Sequence, residues 1–336
     1  MKVLTRNILV NRSYLTRKFK IAGSPILQIA THGPALAQDP RATFELSAYD
    51  LIRTASKSKG NHLTYASVDK LVQSITANGV KRKLTGWDLG NNTVELFGGH
   101  HRALSAAIAG IEALDFALKP LCPFDRTIGR SIEEVSASYA RVPENESLKP
   151  GHSYNPFPGF EPIRKDALYR LRMIYRAIIT CSDNQLLDLG CNDGYFGIAL
   201  SQHDFYPTFV DRSPSYLEVV KAKSIAVKQD CTIEQCDIDT FLKMCKRKYA
   251  AVLYTDVFYH TVLEKGPAVA LAQLNAIIDI TEERLIFAPG RWDRLESNGV
   301  TQKKLYSILL LKAKRIRFLG KDVDKHYGRE IYCIEY

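Results

Sequence analysis

One stretch, Leu186-Leu187-Asp188-Leu189-Gly190-Cys191-Asn192-Asp193-Gly194, constrains the fold of this chain more than any other. An apolar strand that ends in an acid and a glycine, with a second glycine opening a helix, describes a strand that turns sharply beside a ligand. Glycine suits such a turn because a Cβ would stand between backbone and ligand. In open α/β sheets, ligands bind outside the carboxyl ends of the strands, where this loop must lie. A glycine-rich loop alone is weak evidence, since dinucleotide enzymes use a similar one. The acids downstream sharpen it. Asp211 closes the strand Thr208-Phe209-Val210-Asp211, at a place where a carboxylate accepts hydrogen bonds from two ribose hydroxyls. Asp237 follows the strand Glu234-Gln235-Cys236, where a carboxylate can accept the amino group of an adenine.

The surrounding pattern agrees. An amphipathic helix over 164–179 precedes apolar strands over 185–189, 208–211, 232–236, 251–255 and 284–288, each separated from the next by a helical segment. Strands spaced by helices imply a parallel sheet covered on both faces. Two further strands, over 315–319 and 330–334, flank a polar turn around Gly328 and predict an antiparallel edge hairpin. The fold class is therefore α/β, a doubly wound Rossmann-like sheet.

Over roughly 150–336 the chain resembles the class I S-adenosyl-L-methionine-dependent methyltransferases. Residues 185–197 match the family's first motif, Asp211 its ribose acid, Asp237 its adenine-side acid, and the closing hairpin matches too. The resemblance implies that Asp188 and the backbone of Gly190 and Gly194 hold the amino-acid end of the cofactor, with Asn192 in the same loop. A helix-capping role is the alternative for Asp188. Two positions depart from the family pattern: Asn192 stands where many members carry glycine, and Ala250 where an acid often opens the fourth strand. That strand ends in Tyr254-Thr255-Asp256-Val257-Phe258-Tyr259-His260. Tyr-His at this point resembles methyltransferases acting on small molecules or on transfer-RNA wobble bases. Methyl transfer is an in-line displacement, so the enzyme aligns the acceptor and removes its proton. His260 is the candidate base, against a structural histidine at a helix start. Tyr154, Phe157 and Phe160 stand where family members often carry a lid over the acceptor; the alternative is an aromatic seal at a domain junction. No metal site is indicated.

The first half reads differently. A strand is expected over 44–49, a helix over 67–78 capped by Gly79, and two strands over 84–89 and 93–97 joined by Gly90-Asn91-Asn92, a hairpin turn signal. Phe97-Gly98-Gly99-His100-His101-Arg102-Ala103 then leads into an alanine-rich helix. Paired glycines admit a phosphate, while a helix start, two imidazoles and a guanidinium supply donors. Over about 42–120 this segment resembles the ParB/sulfiredoxin superfamily, which implies nucleotide or phosphate binding at Gly98, Gly99, His100, His101 and Arg102, with ATP or another nucleoside triphosphate and Mg2+ as candidate ligands. His100 replaces the reactive cysteine of sulfiredoxins, so their chemistry is not expected. No helix-turn-helix follows, as a ParB protein would require. The superfamily's free amino-acid kinases place an acid where Gly98 stands. A degenerate fold kept for substrate binding or dimer contact is the other reading.

A chain of 336 residues favours two domains. Prolines 143, 150, 156, 158 and 162 mark the boundary. The expected division is a basic arm over 1–40, a ParB/sulfiredoxin-like α+β domain over 41–125, a linker and lid over 126–163, and the methyltransferase domain over 164–336. The net charge is +10, and no acid precedes Asp39 while Lys2, Arg6, Arg12, Arg17, Lys18 and Lys20 crowd the start. Such a start fits a solvated arm, an organellar transit peptide or nucleic-acid contact. Seven cysteines without a Cys-x-x-Cys pair argue against a disulfide framework or a cysteine-rich zinc site, and a reducing cytoplasm fits them. No apolar run is long enough for a membrane span. Three functions are compatible: methylation of a small molecule or glycan-linked group beside a nucleotide-binding domain, methylation of RNA or DNA held by the basic arm and ParB-like domain, and a binding module without catalysis.

Overall fold

Short apolar strands, separated by turns in which the backbone goes left-handed, build both sheets of this protein. The computed structural model describes residues 1–4, 8–11, 26–30, 45–47, 65–90, 92–120, 129–142, 166–321 and 329–336. The chain divides into two compact units, Met1–Cys122 and Pro123–Tyr336.

The first unit contains β1 (Lys2–Leu4), β2 (Ile8–Asn11), β3 (Ile26–Ala30), β4 (Glu45–Ser47), α1 (Tyr65–Asn78), β5 (Leu84–Asp88), β6 (Val94–Gly98), α2 (His100–Ile108) and β7 (Ala113–Pro120). They form a mixed sheet in the order β1-β7-β5-β6-β2-β3-β4, in which antiparallel and parallel neighbours alternate. The expected hairpin is β5–β6, closed by the Leu89 N–H to the Thr93 carbonyl at 3.0 Å. Gly79 ends α1 at φ +66°, as a C-cap should. Val3, Ile8, Leu84, Leu96 and Phe116 pack against Ile75, Leu104 and Ala107 of the helices. The start of the chain is therefore not simply a basic arm. Residues 2–4 and 8–11 are strands, because Val3 and Ile8 gain more from burial in this core than the neighbouring charges lose.

The second unit contains α3 (Gly129–Ala140), α4 (Ala167–Ile178), β8 (Gln185–Leu189), α5 (Tyr195–Ser201), β9 (Tyr206–Asp211), α6 (Pro214–Val227), β10 (Thr232–Gln235), α7 (Ile238–Met244), β11 (Tyr249–Thr255), α8 (Phe258–Lys265), α9 (Pro267–Ile280), β12 (Thr281–Ala288), α10 (Trp292–Ser297), α11 (Gln302–Leu310), β13 (Arg315–Lys321) and β14 (Glu330–Glu335). The sheet order is β10-β9-β8-β11-β12-β14-β13. The first five strands run parallel and β14 is antiparallel to both neighbours, so the expected doubly wound sheet with an antiparallel edge hairpin is present. Order reverses between β8 and β11, which places the switch point of the sheet beside the β8–α5 loop. Leu285, Phe287, Tyr332 and Ile334 meet Leu274, Ile277, Leu305 and Leu309 on one face. The other face takes α4.

Residues 126–163 were expected as linker and lid, yet 129–140 form α3, which packs on α6. The reason is polar. The Tyr139 hydroxyl donates to Asp193 Oδ2 at 2.7 Å, and the Lys223 ammonium donates to the same oxygen at 3.0 Å and to the Asp193 carbonyl at 2.8 Å. Lys223 and Asp193 are buried, and burial lowers the lysine pKa against the pull of its partner. Removing one member leaves the other charge buried without compensation. Lys223→Met should therefore cost about 3–5 kcal/mol of unfolding free energy in a urea titration. Arg212→Ala, which removes the exposed pair with Glu264, should cost less than about 1 kcal/mol. Equal losses would show that the buried pair has no special weight.

Candidate active site

The β8–α5 loop is stitched to the end of β9. The N–H groups of Gly190 and Cys191 donate to the Val210 carbonyl at 2.8 and 3.2 Å, and that of Asn192 to Asp211 Oδ2 at 2.9 Å. Gly190, Asn192 and Gly194 all have positive φ, at 65°, 52° and 70°. Asparagine tolerates that region better than most residues, which explains Asn192 where glycine is common in the family resembled. A Cβ on Gly190 would come within 2.6 Å of Val257, and one on Gly194 within 2.8 Å of Val220. Both glycines are thus needed for packing as well as for the turn.

Above the carboxyl ends of the strands lies a cavity of about 650 Å³. Asp188, Gly190, Asn192, Asp211, Asp237 and His260 all line it, so six sequence-predicted residues from four different strand ends converge. Gly194 does not line it; it starts α5 behind the loop. Tyr154, Phe157 and Phe160 lie outside the described residues.

Each acid has its own environment. Asp188 is 5% exposed, and burial pushes its carboxyl up to about 7, against a bond from the Gly197 N–H; Asp211 and Asp193 push the same way. Asp211 is also raised by burial and held back by the N–H groups of Ser213 and Asn192, which donate to its two oxygens. The Arg212 N–H and the Arg212 charge add to that hold. Asp237 caps α7, accepting the Thr240 N–H at 2.7 Å, and that bond holds it below the usual carboxylate range. His260 is exposed on α8, with its ring 4.0 Å from that of buried Tyr259, which fills the space a side chain at Gly290 would need.

Sequence reasoning missed several residues here. Asp256, just past the end of β11, has φ +61°, accepts from Arg170 at 2.7 Å and forms an ion pair with Arg329 at 3.1 Å. Arg170 is fully buried on α4 and stands over the Phe196 ring. Its signal was legible: an arginine on the apolar face made by Leu171, Ile174 and Ile178. Gln273 accepts the Tyr254 hydroxyl and donates to Asp239, and Lys265 pairs with the same acid. Among the described residues six carboxylates and three permanent cations line the cavity, and buried Lys223 and Arg170 pair with two of those carboxylates, Asp193 and Asp256.

The first unit carries the other predicted motif. Gly99, φ +94°, immediately precedes α2, and Gly98, His100, His101 and Arg102 are gathered at the helix start. Burial first, then His101, lowers the His100 pKa to about 4, so its imidazole is neutral at pH 7. The Arg102 guanidinium turns back onto the Arg82 carbonyl at 2.8 Å and lies against Gly99.

No protein-family model matches the chain, and no curated protein matches it. Solved structures do. The bifunctional kinase-methyltransferase WbdD is 16% identical with a TM-score of 0.46, over 60% of this chain and 45% of that one. Magnesium protoporphyrin IX methyltransferase (ChlM) from Synechocystis PCC 6803, with bound SAM, is 18% identical with a TM-score of 0.42, over 60% of this chain and 90% of that one. EvdMO1 is 16% identical with a TM-score of 0.42, over 60% and 47%. The chain thus spans less than half the length of WbdD. Among the described residues, no helix is long and apolar enough to cross a membrane.

The raised pKa of Asp188 has a signed consequence. Its folded value lies above its unfolded one, so its stabilising contribution is complete below about pH 4 and is lost as pH rises through about 7. Asp188→Asn mimics the protonated form. Its stability advantage over the wild type should grow by up to about 1.4 kcal/mol per pH unit across that window and level off above it. Parallel stability curves for the two proteins would show that Asp188 keeps an ordinary pKa.

Proposed function

We propose that the second unit is a methyltransferase that uses S-adenosyl-L-methionine and acts on an oxygen or nitrogen of a small molecule or glycan-linked group. The observation that supports this reading is the convergence of Asp188, Asp211, Asp237 and His260, from separate elements, on one acidic cavity. The cofactor, when bound, supplies an electrophilic methyl carbon on a sulfonium. Asp211 offers its carboxylate to the ribose hydroxyls. Asp237 stands on the next strand's end to accept the adenine amino group. Asp188, ionised, attracts the ammonium of the amino-acid end, and the surplus of carboxylates suits the net positive charge of the whole molecule. His260 takes a proton from the acceptor as the new bond forms. A volume of about 650 Å³ lies within the range of small-molecule sites, which favours a compact acceptor beside the cofactor. An RNA or DNA acceptor is the second reading, motivated by the net charge of +10. The acidic lining disfavours phosphates near the methyl group.

For the first unit we propose a ParB/sulfiredoxin-like fold that binds a nucleotide phosphate at Gly98, Gly99, His100, His101 and Arg102. His101 and the α2 start provide donors, and Arg102 would have to release the Arg82 carbonyl to reach the ligand. Thermal scans of the full chain with ATP, CTP, GTP and ADP, each with Mg2+, should show stabilisation that Arg102→Ala removes. No shift with any of them would leave this unit without a nucleotide.

Two substitutions test the methyltransferase. Asp211→Ala should weaken binding of S-adenosylhomocysteine by roughly 1–3 kcal/mol in titration calorimetry, the cost of unpaired buried hydroxyls. His260→Ala should lower turnover by about 10²–10⁴ with cofactor affinity retained. Unchanged affinity in the first would remove the ribose assignment, and near-normal turnover in the second would make His260 structural.

A further inference from the structure

A chain of polar contacts crosses four elements at the Asp237 end of the cavity. The Tyr254 hydroxyl of β11 donates to Gln273 Oε1 at 2.6 Å, and the Thr261 hydroxyl of α8 donates to the same oxygen at 3.3 Å. Gln273 Nε2, on α9, donates to Asp239 Oδ1 of α7 at 2.7 Å. The Lys265 ammonium, on the last turn of α8, donates to Asp239 Oδ2 at 2.6 Å. Gln273, Thr261, Lys265 and Asp237 all line the cavity. A carboxylate only accepts hydrogen bonds, so the amide nitrogen of Gln273 must face Asp239 and its oxygen the two hydroxyls. The chain therefore runs in one direction, and both oxygens of Asp239 are committed.

An ion pair between partly exposed side chains adds little stability, and Lys265 and Asp239 are 38% and 29% exposed. Yet Asp239 is fixed from behind by an amide that is only 5% exposed and is itself fixed by two hydroxyls. What the arrangement sets is the place of the ammonium. Asp237 caps α7 and Asp239 stands two residues later in the same first turn, so a lysine bonded to one has the other beside it. The hydrogen bond to Asp239 raises the Lys265 pKa first, and the charges of Asp239 and Asp237 add to it, in keeping with that proximity. Asp239 takes the ammonium, and Asp237 stays exposed in the cavity, accepting the Thr240 N–H. A carboxylate at a cavity wall accepts an amino group and repels a carbonyl oxygen. A carboxylate covered by an ammonium does the reverse, since an ammonium has only donors to offer.

We propose that Asp239 and Gln273 are positioning residues that keep the Lys265 ammonium off Asp237. Given the reading of Asp237 as the adenine-side acid, on which this rests, they make the cavity select a base with an amino group over one with a carbonyl at the same place.

Titration calorimetry of the full chain with S-adenosylhomocysteine and with S-inosylhomocysteine, which carries a carbonyl in place of the amino group, provides the test. The wild type should prefer the adenosyl ligand by roughly tenfold or more, because a carbonyl facing Asp237 leaves both groups unpaired. Asp239→Asn still accepts the Gln273 N–H but turns an amide nitrogen toward Lys265 and releases the ammonium, so the preference should narrow by about fivefold or more. Gln273→Leu, which frees Asp239, should narrow it in the same direction; where that variant does not fold, the partly exposed Asp239→Asn carries the test. Lys265→Met alone should leave the preference as it is. Added to Asp239→Asn it should restore the preference, because the competing ammonium is gone, and a merely structural role for Asp239 predicts no such rescue. An unchanged preference in Asp239→Asn, or a narrowed one that Lys265→Met fails to restore, would overturn the proposal, and a folded Gln273→Leu with full preference would strike Gln273 from it. No binding of either ligand to the wild type, or an unchanged preference in Asp237→Asn, would instead remove the adenine-side reading of Asp237, and the proposal with it.

Discussion

The buried pair between Lys223 and Asp193 is the interaction on which the rest of the candidate site depends. Asp193 belongs to the β8–α5 loop, Lys223 to α6, and Tyr139 of α3 completes the group from a third direction. Buried charges are expensive unless paired, so the loop is held where the two charges meet. That position sets Gly190, Asn192 and Asp211 relative to one another, because the loop's next N–H groups go to Val210 and Asp211. A pair of this kind adds less to stability than to uniqueness: it penalises every alternative loop conformation in which either charge lacks its partner.

Charge is divided sharply within the second unit. A protein of net charge +10 carries a cavity lined, among the described residues, by six carboxylates and three permanent cations. Arg170 of α4 reaches Asp256 just past the end of β11. Net charge alone pointed toward polyanions, and it says nothing about the cavity, where local acids dominate.

The parallel sheet and the cavity acids were legible because each rests on short-range information. Strand ends are marked by Asp188, Asp211 and the residues around Asp237, and the helices between them carry a plain apolar period. The start of the chain was not legible: a three-residue strand such as Lys2–Leu4 is too short to show alternation, and only its partner β7 buries Val3. Helix α3 was hidden for a similar reason, since the partner that holds it, Asp193, is distant in sequence. Arg170 and Lys223 were passed over because charged residues on apolar helix faces read as errors in the pattern until their partners are known. Gly194 does not line the cavity, and a Cβ there would meet Val220 and Phe209.

A crystal structure of the full chain with S-adenosylhomocysteine tests the central claim most directly. The account predicts the ligand in the cavity, both ribose hydroxyls within hydrogen-bond distance of Asp211, the adenine amino group toward Asp237, the amino-acid end at Asp188 and Gly190, and His260 facing the sulfur side. A ligand bound elsewhere, or bound here with its ribose away from Asp211, would contradict it.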